Sequence, residues 1–282
     1  MDQPPLPISN EPAATIHQVS AAAQVRADRL KSDAEAAARE SAIWQDLLSY
    51  QHKSWWFHIR SLFEREAEFF RRLRETQSPV IGHLESIYRE AKNHTEELIH
   101  QLPRDIERMA QAHNLPLDLT RSRHPKYLFR EGFLTLEIDE AKRLAKLRDY
   151  EEKLDELPPD AEAIAQCLIL HDRRLFDRPF DGIKFLQKIR RIYLDTIKKE
   201  KRSDGDPVPL RHIARRLSKN DKAFRRDEFL IDLSRLAVDG PAEIGGLRFE
   251  FQQTKDTEQG FLLFGRAGRG MVNLLIFKKG TQ

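Results

Sequence analysis

Apolar residues recur every three or four positions through most of this chain, which predicts helices rather than strands. Trp56, Ile59, Phe63, Phe70 and Leu73 form one such stripe, with Glu and Arg between them, and Trp44, Leu47, Leu48 and Trp55 widen it. The pattern predicts one long amphipathic helix from Ser41, ended at Gln77-Ser78-Pro79 because proline disfavours helical geometry at the residue before it. Ile81, Leu84, Tyr88, Ala91, Thr95, Leu98 and Leu102 then alternate steps of three and four, a heptad seam sustained for three repeats. Pro103 suits the first turn of a further short helix carrying Ile106, Met109 and Ala110. Upstream, Ala13 to Glu40 is rich in alanine and charge, helical by propensity but with little to bury. Residues 1–14 are expected as a disordered tail and 15–114 as an antiparallel helical hairpin or coiled coil, with parallel pairing of two chains as the competing assembly. Trp55, Trp56, Ile59, Phe63, Ile81, Leu84, Tyr88 and Leu98 are the side chains expected to pair helices or face a partner. His52 and His58, six apart, do not share a helix face and are not expected to bind metal.

The period shortens after Leu115. Residues 115–178 are expected as a small α+β connecting element. Tyr127 to Ile138 alternates Leu134, Leu136 and Ile138 against Thr135 and Glu137, which predicts a strand. Asp139 to Lys142 turns the chain, and Leu144 to Leu147 returns as a second strand. This hairpin should pack on a helix from Asp160 to Phe176, with Ile164, Leu168 and His171 or Leu175 inward. The pair His171-Asp172 resembles the two-residue signature of HD-type metal-dependent phosphohydrolases. No matching helical histidine set accompanies it, so it is expected as a solvated helix end with favourable basic residues, Arg173 and Arg174, behind it.

Residues 179–282 are expected as a compact basic domain. Leu186, Ile189, Tyr193 and Ile197 mark a helix from Gly182 to Lys201, whose other face carries Lys184, Lys188, Arg191 and Lys198. Pro209 opens a second helix with Ile213, Ala214 and Leu217 inward. A third helix, with Asp221 expected as its N-cap, buries Phe224, Phe229, Leu230, Leu233 and Leu236. Leu247, Phe249 and Phe251 alternate as a strand, and Phe261 to Phe264 and Met271 to Phe277 are two further β stretches. Three helices followed by a small antiparallel sheet resembles a winged helix-turn-helix domain in element order. The fold class is therefore mainly α with a minor β component. Gly265 to Gly270 is no dinucleotide loop, since a strand rather than a helix follows it. It is expected as a wing tip carrying Arg266 and Arg269.

Composition changes this picture in two places. The whole chain of 282 residues has a formal charge of only +3, yet residues 182–226 hold about fifteen Lys and Arg against about five acids. That local excess suits phosphate contact by Lys184, Lys188, Arg211, Arg215, Arg216, Lys219, Lys222, Arg225 and Arg226, with the wing arginines. Only Asn220 and His212 accompany them as uncharged base readers, so weak sequence choice is expected. Cys167 is the only cysteine, so neither an intrachain disulfide nor a thiolate zinc site is expected, and it is expected to be an inert thiol in a cytoplasmic protein. No apolar run approaches a membrane span.

The expected function is a non-enzymatic DNA-binding or scaffold subunit of a multiprotein DNA-processing, genome-maintenance or defence complex, without cofactor, metal or membrane. Its partners would be DNA and a further protein such as an ATPase subunit, with a homodimer open. Two alternatives compete. The first is a Mg²⁺-dependent nuclease: Asp239 and Gln253-Thr254-Lys255 resemble the acid and the terminal lysine of the PD-(D/E)xK arrangement, with Glu228 as upstream acid. The second is a purely protein-docking winged-helix subunit of an SMC-like ATPase.

Overall fold

A computed structural model describes residues 11–253, 260–265 and 271–279. The protein is mainly helical with small antiparallel sheets, and it divides after Asn93 into two compact units. No helix among the described residues is long and apolar enough to cross a membrane.

The first unit is helical. Helix α1 (Glu11–His52) is exposed at every position from 16 to 42, as its alanine-rich, charged sequence predicts. Burial begins at Ile43 and Leu47. These pack with Ile59, Leu62 and Phe63 of α2 (Trp56–Arg65), Phe69 and Phe70 of α3 (Ala67–Glu75), and Leu84 and Ala91 of α4 (Ile81–Leu98). Phe63 stacks on Phe70 and on Tyr88, with ring centroids 4.1 and 5.0 Å away.

The stripe expected as one helix from Ser41 to Gln77 is therefore three helices. Ser54 takes a left-handed backbone with φ of 53° and ends α1. Glu66 leaves helical geometry between α2 and α3, and its carboxylate accepts from Arg39 at 2.6 Å and from Arg65 at 3.2 Å. Those hydrogen bonds, Arg39 first, hold the buried Glu66 carboxyl below its usual range although burial opposes them. Bending the stripe lets three short apolar faces meet around one core, which a straight rod could not do.

The second unit starts with the end of α4, and its first whole helix is α5 (Leu102–Ala112), which packs on α6 (Ala161–Asp172) and buries Leu102, Ile106, Met109 and Ala110. Between them lies a four-stranded antiparallel meander of β1 (Lys126–Phe129), β2 (Leu134–Asp139), β3 (Leu144–Arg148) and β4 (Lys153–Leu157). The strand expected from Tyr127 to Ile138 is broken at Arg130 to Gly132, where all three residues have positive φ. Beside this break, Arg130 forms a two-pronged ion pair with Asp172, at 2.6 and 2.7 Å, and lies over the Phe176 ring. Phe176 in turn meets Phe133 and Phe264 edge-on, which joins the meander to the C-terminal part of the unit.

That C-terminal part runs α7 (Gly182–Lys199), β5 (Val208–Pro209), α8 (Leu210–Asn220), α9 (Arg226–Asp239), β6 (Glu243–Ile244), β7 (Leu247–Gln252), β8 (Phe261–Leu262), β9 (Met271–Val272) and β10 (Leu274–Lys279). The sheet order is β5-β10-β7-β6, all antiparallel, and β8 pairs with β9 as a separate ribbon. The stretch from Met271 to Phe277 is two strands, split at buried Asn273, whose carbonyl accepts from Leu210 N–H.

Candidate nucleic-acid interface

Helix α8 has the clearest two-sided pattern of this part. Leu210, Ile213, Ala214 and Leu217 are buried at helical spacing. The opposite side carries Arg215, Ser218, Lys219 and Asn220, all exposed. Asp221 ends α8 in extended geometry and does not cap α9. Its Oδ1 accepts from Ala223 N–H at 3.0 Å, and its carbonyl from Phe224 N–H, a short turn stabilised by its own side chain. Lys222 and Arg225 stand exposed on this turn.

The cations expected to meet phosphate fall into two groups. Lys184 pairs with Asp181 at 3.2 Å, and Lys188 with Asp221 at 3.1 Å. The Lys188 hydrogen bond holds the Asp221 carboxyl below its ordinary value. Arg211 pairs with Glu151 at 3.0 Å and lies over the Phe261 ring, Arg226 approaches the same carboxylate at 4.0 Å, and Arg216 donates to the Asp195 carbonyl. Arg215, Lys219, Lys222 and Arg225 have no ion pair among the described residues. Arg266 and Arg269 lie outside the described residues.

Three neighbouring clefts follow α8 and the turn. One of about 350 Å³ sets Lys199, His212, Arg215, Arg216 and Lys219 against Asp195 and Glu200. A second of about 280 Å³ shares Arg215 and Lys219 and adds Arg211, Phe224 and Arg226. The third, about 320 Å³, shares Phe224 and Arg226 and adds Lys153, His171, Arg174 and Arg225. His212 is engaged by Glu200 at 3.3 Å, which leaves Asn220 as the exposed uncharged polar reader.

Helix α9 is arranged differently. Phe229, Leu230, Ile231, Leu233 and Leu236 are buried, so both of its sides are covered. Its first turn carries Asp227, buried, and Glu228. Arg174 donates to both, to Glu228 at 2.9 Å. Arg178 donates to the Glu228 carbonyl at 2.7 Å and faces Asp232, and Arg235 returns hydrogen bonds to the carbonyls of Phe176 and Arg178. The segment 173–178, a wide helical turn after α6, is thus fastened along α9 by three arginines. The bonds of Arg174 outweigh its partial burial and raise its already high pKa.

His171-Asp172 is not a solvated helix end. His171 is buried, and Asp172 is committed to Arg130. His171 turns toward β4 and the start of α9, and Asp172 turns toward the break between β1 and β2, so the expected solvated end is instead packed. A second feature escaped the sequence pattern. Cys167 and His171, four apart on α6, share one face, and β4 brings Asp155 to it. The Cys167 Sγ lies 3.5 Å from Asp155 Oδ2, and His171 Nε2 lies 3.6 Å from the same oxygen. Burial, with Asp155 adding, pushes the Cys167 thiol up to about 12, while burial and then Arg174 hold the His171 imidazole below its ordinary value. The four-residue spacing of Cys167 and His171 was the available signal for this cluster.

The residues of the nuclease alternative are spread apart in role. Asp239 is the last residue of α9, where that arrangement needs a strand, and Glu228 is tied to Arg174. Gln253 follows β7, while Thr254 and Lys255 lie outside the described residues. Of the residues expected to face a partner, Trp55, Ile59, Phe63 and Leu84 are buried, the last three within the first unit's own core. Trp56, Ile81 and Tyr88 are half-buried against that core, and Leu98 is half-buried.

The chain matches no described protein family, no curated protein and no solved structure.

Proposed function

We propose that this protein is a non-enzymatic DNA-binding subunit, and that residues 182–279 act as a winged-helix module gripping the duplex backbone with α8 and the turn after it. The order helix, strand, helix, helix, then five short strands of which β10 lies between β5 and β7, supports the winged-helix reading. One observation carries the functional reading: Arg215, Lys219, Lys222 and Arg225 stand exposed, without carboxylate partners among the described residues, and Arg215, Lys219 and Arg225 line adjoining clefts. Side chains of this kind meet phosphates, which supply affinity and register rather than sequence choice. Helix α9 would enter the major groove in the usual docking of such a module. Here it is covered on both sides and carries acids at its start, which favours backbone contact over base reading.

The same covering favours a second reading, a protein-docking module of an ATPase assembly in which the cations of α8 meet an acidic partner. Exposed α1 residues 16–42 offer such an assembly a recruiting helix, either for another protein or for a second copy of this chain. A salt titration of labelled duplex DNA by fluorescence anisotropy separates the two. If each of the four cations meets one phosphate, log K against log salt should have a slope of about −3.6, alike for unrelated sequences. Absence of binding even at about 50 mM salt would leave the docking reading standing and sink the DNA reading.

A further inference from the structure

We propose that Asp155, Cys167 and His171 form a binding site for a zinc-class divalent cation, held by one carboxylate, one thiolate and one imidazole. Among the described residues these three donor atoms lie within 4.8 Å of one another. A tetrahedral zinc ion takes sulfur at about 2.3 Å and nitrogen or oxygen at about 2.0–2.1 Å, which spaces its ligand atoms roughly 3.3–3.6 Å apart. The two separations from Asp155 Oδ2, 3.5 Å to sulfur and 3.6 Å to nitrogen, are already at that spacing. Regular structure holds all three residues. Cys167 and His171 project from one face of a three-turn helix, and Asp155 comes from the strand packed against it.

The donor set selects the metal. Thiolate with imidazole suits zinc and excludes magnesium or calcium, which prefer oxygen alone. Three protein ligands leave one tetrahedral position for water or another ligand. Without a cation the thiol stays protonated, because burial and the nearby carboxylate both disfavour its charge. A bound divalent ion reverses that balance, and binding therefore releases the thiol proton to solvent.

Arg174 sets the cost. Its Nη2 donates to His171 Nδ1 at 3.1 Å, so the neutral ring carries its proton on Nε2. For Nε2 to bind metal that proton must move to Nδ1, and Arg174 must release the ring while keeping Asp227 and Glu228. Nearby positive charge also disfavours a cation. The site should consequently bind more weakly than a preorganised structural zinc site.

The test is a Co²⁺ titration of the full chain after chelator treatment, with Zn²⁺ stoichiometry from equilibrium dialysis. We expect one ion per chain and a sulfur-to-cobalt charge-transfer band. Cys167→Ser should abolish that band, and Asp155→Asn, a change at a strand-surface position, should weaken binding at least tenfold. Should Cys167→Ser fail to fold, Asp155→Asn decides alone. No charge-transfer band at millimolar Co²⁺, or an unchanged isotherm in Asp155→Asn, would overturn the proposal and leave the trio as a hydrogen-bonded cluster.

Discussion

Helices α8 and α9 are neighbours in the chain, joined by five residues, yet they have opposite relations to solvent. α8 buries one stripe and leaves Arg215 and Lys219 exposed and unpaired among the described residues. α9 is wrapped on both sides, and its acids are consumed by Arg174 and Arg178. The difference teaches that two successive helices can divide labour: one is fastened into the unit along both sides, and the other keeps a cationic face exposed. It also moves the proposed DNA contact away from the helix that element order alone would choose.

The comparison is broken most forcefully from the α9 side. Arg174→Ala leaves Asp227 buried without its counter-charge and should cost about 3–5 kcal/mol in urea denaturation. An unchanged midpoint would mean that α9 is held by its apolar face alone. From the α8 side the effect should fall on binding and spare stability. Replacing Arg215, Lys219 and Arg225 with Ala should flatten the salt slope by about 2.7 units while thermal unfolding stays where it was. A loss of stability in that triple variant would show that these side chains are structural after all.

The smallest expected effect is a pH dependence carried by His171, which touches the α9 anchor Arg174. Burial lowers its pKa from 6.5, with Arg174 contributing and with Asp155 and Asp227 opposing. Between the lowered value and 6.5 the unfolded chain binds more protons than the native one. Stability is therefore greatest above 6.5 and is lost as pH falls through that window, by at most about 1.4 kcal/mol per pH unit. His171→Gln should remove this slope without changing the salt dependence of DNA binding. Identical pH profiles for the two proteins would place the titration elsewhere.

The α8 side of the comparison was legible in the sequence. Ile213, Ala214 and Leu217 repeat at helical spacing, and the polar positions between them are the cations. The mainly helical class and the return strand from Leu144 were legible for the same reason. What escaped are features set by distant contacts. Asp221 resembles an N-cap, but its side chain closes a turn two residues on, and α9 starts only at Arg226. Strand β4 is hidden because Lys153, Asp155 and Glu156 make it a polar edge strand with no apolar alternation. With β4 unseen, Asp155 could not be placed beside α6, and the Asp155, Cys167, His171 cluster stayed hidden with it. The breaks at Ser54 and Glu66 were illegible too, since the Glu66 kink is held by Arg39, twenty-seven residues earlier.

Strand β10 has a consequence for how this molecule must be made. It pairs on one side with Val208 and Pro209 and on the other with the whole length of β7. The keystone of the sheet is thus synthesised after every strand that it joins. Until it emerges, β7 has no partner along that edge, and β5 has no sheet to enter. Closing the Val208–Leu275 contact spans a long loop whose entropy must be overcome before the contact contributes. A growing chain therefore carries an exposed, aromatic edge containing Phe249 and Phe251 during translation, the kind of edge that invites association with other chains.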